Sequence, residues 1–386
     1  MKQLKIIVLS LMVLCLTLRP EVAAAVVPET EAVVPETETV VPEVQGVTEE
    51  SASLARDPEE KEPGLDIAGM IFGHIGDAYD WHLWTTKDGR HVSIPLPVIV
   101  HSSTTGWHCF MSSEFHHGPV GSLFIAPAGQ PYEGKIVELQ EDGSVIRPFD
   151  ISLTKNVIAL IVSAIILITI VLRTAAWYKN HDPEKETPTG IAAVMEPFIM
   201  MVNDSIIKES VGPEYKKYSP FLLTIFFFIF LNNLMGLIPF FPGGANVTGN
   251  IAVTMVLAVC TFIAVNAFGN KHYWKEILWP DVPVWLKFPI PIMQVIEIFG
   301  VFTKPFSLMV RLFANILAGH AMILGLVSVI FITAKLGPVI NGSMTFVTML
   351  FGVFMNFLEL LVAFIQAYVF TMLSSVFIGM SRPKHE

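Results

Sequence analysis

Charge is scarce in this chain. Of 386 residues only 15% are Asp, Glu, Lys or Arg, while 53% are apolar. Soluble domains carry about 25% charged residues, so an ordinary soluble protein is excluded. Cysteine is scarcer still: Cys15, Cys109 and Cys260 are the only three. Cys15 lies in an N-terminal apolar run and Cys260 in a membrane-length one. A single thiol is left for any part in water, which excludes an intrachain disulfide framework. Basic residues are not in excess either, since the net charge is −10. Most of that charge is local: residues 26–62 hold eleven acids against Arg56 and Lys61, a balance of −9. The remainder is close to neutral, so nothing points to nucleic acid. No glycine-rich loop of the phosphate-cradling kind is present, and no nucleotide or other cofactor is expected.

What is present falls into four stretches. In residues 1–25, Lys2 and Lys5 precede the apolar run Ile6–Leu18, and three alanines follow at 23–25. This is the pattern of a cleaved signal peptide, and it places the mature N-terminus outside the cytoplasm. Residues 26–65 contain three heptads, VVPETEA, VVPETET and VVPEVQG. Proline every seventh residue forbids a continuous helix or strand, and the acid load predicts a disordered, solvated tether. Residues 66–150 form an extracytoplasmic region in which TTKDGRHVSI and IVELQEDGSVIRPFD each set Asp-Gly between strand-like runs, so β-hairpins are expected. Seven of the eleven histidines fall there: His74, His82, His91, His101, His108, His116 and His117. Their spacings match no compact ligand set, and they are read as surface or proton-buffering groups with no metal bound.

Residues 151–386 are the membrane domain, and the fold class is an all-α polytopic membrane protein with a small β-rich insert outside the bilayer. Helices are predicted over 155–178, 219–239 and 250–269, with an amphipathic helix over 188–210 that has Pro188 in its first turn. A Trp-rich interfacial loop, KHYWKEILWPDVPVWLK, follows. Two very long apolar segments, 291–334 and 343–380, complete five crossings. At about 1.5 Å per residue each of the last two would reach about 60 Å, twice a hydrocarbon core of about 30 Å. They are expected to be strongly inclined and to form an antiparallel hairpin. Lys and Arg residues gather on the side that this count makes cytoplasmic, including Arg382 and Lys384 in the tail, as the positive-inside rule requires.

Polar residues inside the hairpin carry the functional signal. With about 100° per residue, Ser307, Lys304, Asn315 and Glu297 all fall within about 40° of Arg311, and His320 falls about 180° away. On the last helix Gln366 lies about 20° from Glu359, and Asn356 about 60°. Residues that face each other across an antiparallel pair have numbers with a nearly constant sum. A turn near 339 therefore sets Arg311 level with Gln366, and His320 level with Glu359. A charge at bilayer depth costs from about 3 to well over 10 kcal/mol, and no acid of the chain lies level with Arg311. Its partner is expected on another subunit. His320 beside a carboxylate is suited to relay protons.

At this point the residues resemble a known family. TKPFSLMVRLFANILAGH (Thr303–His320), FLNNLMGLIP (230–239) and FIQAYVFTMLSSVFIG (364–379) are similar to segments of the ATP synthase a subunit, in the same order, and the likeness covers about 150–380. The resemblance implies a non-catalytic, ion-translocating stator subunit of an F-type ATP synthase in a bacterial inner membrane, with a cytoplasmic C-terminus. It implies as partners a c-subunit ring, a b-subunit stalk, other synthase subunits and the lipid bilayer. Arg311 matches the essential arginine that faces each passing c-subunit carboxylate. Asn315, Gln366 and Asn233 match polar residues near the ion path, and Glu297 matches the acid of the inner half-channel. His320 stands where many bacterial relatives have Glu and Glu359 where they have His, so the pair is exchanged. Gly236 replaces an acid found in some members. Protons are favoured over Na+ because His320 can carry them. The rival class is a stand-alone channel or secondary transporter, but no inverted repeat is evident. For an intramembrane hydrolase, His320 and Glu359 lack a nucleophile.

Overall fold

The computed structural model describes residues 76–85, 91–127, 132–140, 143–182, 185–238, 241–279 and 292–382. The signal segment, the acidic tether, His74, the Asp88-Gly89 turn and the later part of the interfacial loop lie outside the described residues.

The extramembrane region is built from short antiparallel strands. β1 (Asp80–Thr85) pairs with β2 (His91–Pro95), as the first Asp-Gly hairpin predicts. β3 (Pro97–Ser102) is flanked by β4 (Gly106–Met111) and β8 (Phe149–Asp150). β5 (Leu123–Ile125), β6 (Ile136–Leu139) and β7 (Val145–Ile146) make a third sheet whose β6–β7 hairpin is the second one predicted. Tyr79, Val98, Val100, Leu123 and Ile136 close a small core between the sheets. The Glu138 carboxylate is fully buried, and hydroxyls of Ser102 and Thr104, each 2.5 Å away, wrap the β3–β4 turn around it.

Backbone pairing continues along β3 toward the first membrane helix, with Ile151 N–H donating to Ile99 O and Leu153 to Pro97 O, and at the helix start Lys155 N–H donates to Ala78 O, just before β1. That helix, α1 (Lys155–Asn180), ends with Trp177 stacked on His181, residue types favoured where a helix leaves a membrane. A second joint comes from Trp81, which is 3% exposed, meets Phe241 at 5.0 Å between ring centroids, and belongs to the same apolar cluster as Ala245 and Val247.

α2 (Ile191–Val202) starts after Gly190, so Pro188 precedes the helix instead of opening it. It runs on through a π-helical stretch, Asn203–Lys208, to Val211. α3 (Tyr215–Leu237) supplies most of the largest buried aromatics, among them Phe226 and Phe228. α4 (Ile251–Ala267) is bent by 101° into α5 (Lys271–Leu278), a short helix that carries Lys271, Lys275, Glu276 and Trp274. α6 (Ile292–Thr333) and α7 (Pro338–Met380) are continuous helices of 42 and 43 residues, and Pro305 does not break the first. α7 begins five residues earlier than the pattern predicts. Asn341, Gly342 and Ser343 look like a turn, but Pro338 suits a first helical position and the Asn341 side chain accepts a hydrogen bond from Thr333 Oγ1 across the turn at 3.0 Å.

Among the described residues, four helical runs are long and apolar enough to cross a membrane: Lys155–Asn180, Ile191–Leu237, Met293–Leu336 and Pro338–Met380; the bent α4–α5 pair makes up to five. This is a multi-pass membrane protein. In the most apolar window of the α2–α3 run 61% of residues are buried, against 17% in α6 and in α7. The two long helices therefore leave most of their apolar surface uncovered by this chain.

Candidate functional site

The site lies along the α6–α7 hairpin where α3 backs it. The antiparallel register brings His320 and Glu359 together, with Nδ1 2.8 Å from Oε1. The same Nδ1 is 3.1 Å from the Ile316 carbonyl. Two acceptors face it, so Nδ1 carries the hydrogen in this arrangement. The N–H points at the carbonyl, and the carboxylate is held as a close charge contact beside it. Both side chains are shielded, at 16% and 7% exposure, and His320 Nε2 is buried without an aligned hydrogen bond.

Two glycines make room for the pair. A Cβ on Gly236 of α3 would stand 3.3 Å from His320 Nε2, and one on Gly319 would stand 3.1 Å from Glu359 Oε1. Both distances are tighter than ordinary carbon contacts.

One and a half turns away, Asn315 Nδ2 donates to Gln366 Oε1 at 2.9 Å, and the buried Gln366 Nε2 has no partner among the described residues. Here the register argument needs correction. Gln366 is bonded to Asn315, one turn further along α6 than Arg311, with which the numbering alone sets it level. Asn356 also departs from the expected row: it is exposed and bonds to its own helix at Gly352 O, 2.8 Å away. Its offset of about 60° is enough to carry it out of the helix interface.

Asn233 of α3 is buried and tied at both ends, donating to Ala363 O at 3.3 Å and accepting from Thr248 Oγ1 at 2.6 Å. It fastens α3, α7 and the α3–α4 loop at one point. Thr248 and Gly319 were not expected from the sequence. What each meets is set by another helix, and nothing in its own neighbourhood signals it.

Arg311 is exposed, as are Ser307 and Asn315, while Lys304 and Glu297 on the same stripe are half-buried. Among the described residues none is hydrogen-bonded or ion-paired to Arg311. Phe299, Phe302, Phe306 and Val310, on other sides of α6, are exposed as well. Arg311 thus stands exposed on the polar stripe of a helix whose other sides are largely apolar and uncovered. Glu297 lies nearer the N-terminus of α6.

Among the described residues no three of His, Cys, Asp and Glu gather as metal ligands. In the β-rich region His101 packs edge-on against Trp107, and His108 Nε2 lies 2.6 Å from Thr105 Oγ1.

Comparison with known proteins divides the chain where α1 begins. The profile of the family described as ATP synthase A chain matches residues 157–379, and that of a domain of unknown function matches 70–154. The ATP synthase subunit a of Chlorobium phaeobacteroides is 41% identical over 249 residues, 63% of this chain and 68% of that protein. The subunit a of Myxococcus xanthus is 41% identical over 301 residues, 76% and 90% of the two chains. ATP synthase subunit a 2 of Chlorobium luteolum is 36% identical over 334 residues, 83% and 86%. The family match spans the helices that hold Arg311, His320 and Glu359, and on it the chain belongs to the ATP synthase A chain family.

Proposed function

We propose that this chain is the proton-conducting stator of an F-type ATP synthase, in which Arg311 separates two offset half-channels against a ring of carboxylate-bearing c subunits. The carrying observation is the exposed Arg311, without a partner among the described residues, on a hairpin of α6 and α7 that is mostly apolar and uncovered. A ring carboxylate is neutral when protonated and can face lipid; once ionised it needs water or a positive charge. Arg311 stays protonated, attracts the ionised carboxylate, and repels the proton. It thereby blocks a direct leak. Protons arrive by the His320–Glu359 pair, ride the ring, and leave past Glu297. The membrane potential contributes about 2.3 kcal/mol per charge per 100 mV.

Five crossings with an exported N-terminal region put the C-terminus in the cytoplasm. Lys271, Lys275 and Arg382 then lie on the inner side, as the positive-inside rule asks. The long apolar faces suit a ring as partner, and a b-subunit stalk would hold the chain against it.

Arg311→Ala should abolish proton-coupled ATP synthesis in vesicles while the complex still assembles. Arg311→Lys should fail as well, because a compact ammonium does not reproduce the planar fork. Normal coupled synthesis by the alanine variant refutes the role. The purified chain without a ring should carry no proton flux; a flux would favour the stand-alone channel.

A further inference from the structure

The β1–β2 hairpin reaches into the membrane domain. Trp81 of β1 and Ile94 of β2 are cross-strand partners, so their side chains share one face of the hairpin. Trp81 is buried within the apolar cluster of the helices, and Ile94 packs against that cluster. The Trp81 ring meets Phe241 in the α3–α4 loop, and Ala245 and Val247 of the same loop belong to the cluster. This loop also borders the site. A Cβ built on Gly236 of α3 would have Ala245 O at 3.7 Å and His320 Nε2 at 3.3 Å, so a single glycine stands between the loop backbone and the imidazole. Two bonds pin the loop to α3: Gly244 N–H donates to Met235 O at 3.2 Å, and Thr248 Oγ1 donates to Asn233 Oδ1 at 2.6 Å.

Resting on the reading of the His320–Glu359 pair given above, we propose that the β-rich region is a clamp on the α3–α4 loop, with Trp81 as the positioning residue that sets the spacing between the loop backbone and His320 Nε2. Nδ1 carries the hydrogen of the neutral ring, so Nε2 is its basic nitrogen. A proton joining the pair is taken up at Nε2, on the side of Gly236 and the loop, and the imidazolium so formed stands against the Glu359 carboxylate. Residues 241–250 carry no titratable side chain, and α3 presents a glycine. Among the described residues, Glu359 on α7 is the charged group in contact with His320. Trp81 thus acts through spacing and not through charge. A misplacement of about 1 Å at a reacting pair costs on the order of 10²-fold in rate, so a loop that loses its indole support slows uptake at Nε2. The rival account makes Trp81 the filling of an apolar hollow with no bearing on the site.

Inside-out vesicles carrying the intact synthase test this, with ATP synthesis driven at fixed potential and the pH of the lumen and of the medium set separately. Trp81→Ala should cut synthesis about tenfold where lumenal protons limit the rate, and approach the parent as the lumen is acidified. Its dependence on the pH of the medium should stay that of the parent. Trp81→Phe keeps a ring against Phe241 and should return most of the rate. Trp107→Ala, at an exposed tryptophan of β4, should match the parent at every pH. No loss in Trp81→Ala, or an equal loss at every lumenal pH, overturns the clamp. His320→Ala separates the two readings. If it keeps the parent's lumenal profile, the reading of the pair fails and the clamp with it; if it does not, and Trp81→Ala does, the clamp alone is overturned. Should Trp81→Ala fail to assemble, Phe241→Ala decides, since Phe241 is 46% exposed and its truncation is mild. An unshifted lumenal profile in that variant overturns the proposal.

Discussion

At the scale of single residues, the His320–Glu359 contact makes a double exchange informative. Either single exchange puts two like groups together, and two carboxylates or two imidazoliums repel. His320→Glu with Glu359→His should therefore recover more pumping than either single change, as read in a double-mutant cycle on pumping rate. Strictly additive losses would show that the two do not share a relay. Glu138 offers a second test, in the outer region. Burial pushes its carboxyl up, but hydrogen bonds from Ser102, Thr104 and Ser103 outweigh this and hold it below the usual carboxylate range. The folded-state value is depressed. The stability it lends is thus full above the ordinary carboxylate range and lost as pH falls through the lowered value. Glu138→Gln should speed hydrogen exchange in the β3–β4 turn of the intact complex at neutral pH, and the difference from the parent should shrink in acid. A difference that grows in acid would contradict the assigned state. Arg311 was legible in the sequence because a charge in an apolar run has a large cost wherever it points. Gly319 was not, because its significance lies in a carboxylate 40 residues away in the chain.

At the scale of elements, period and length made the long helices readable, while their ends depended on tertiary partners. Asn341 is the plain case: alone it reads as turn, but paired with Thr333 it belongs to α7. The hairpin itself hinges on Gly337, whose φ of 99° and ψ of 161° fall in a region open almost only to glycine. Gly337→Ala should destabilise the α6–α7 turn by about 1–3 kcal/mol. Thermal unfolding of the detergent-solubilised complex is the check, and an unchanged midpoint would mean that the turn relaxes freely.

At the scale of the whole molecule, the family match and the outer region divide the labour. Residues 26–62 are too acidic and proline-rich to build a core, so their deletion should leave coupled ATP synthesis unchanged in assembled complexes. Loss of synthesis at normal assembly would refute the tether reading. The β-hairpins of the outer region could be read from Asp-Gly punctuation. Its docking through Trp81 could not, since a tryptophan in a strand carries no mark of what it will fill.

That docking has a consequence for the order of synthesis. Trp81 precedes the α3–α4 loop by some 160 residues, and in the orientation proposed the outer sheets are exported before that loop exists. When Phe241, Ala245 and Val247 emerge, their seat is already formed. The same loop brings Thr248 to Asn233, and Asn233 then waits for Ala363, which is made later still. The outer end of the bundle is thus sealed in stages, each on a surface completed by the one before, and the last helix to be made closes the polar interior.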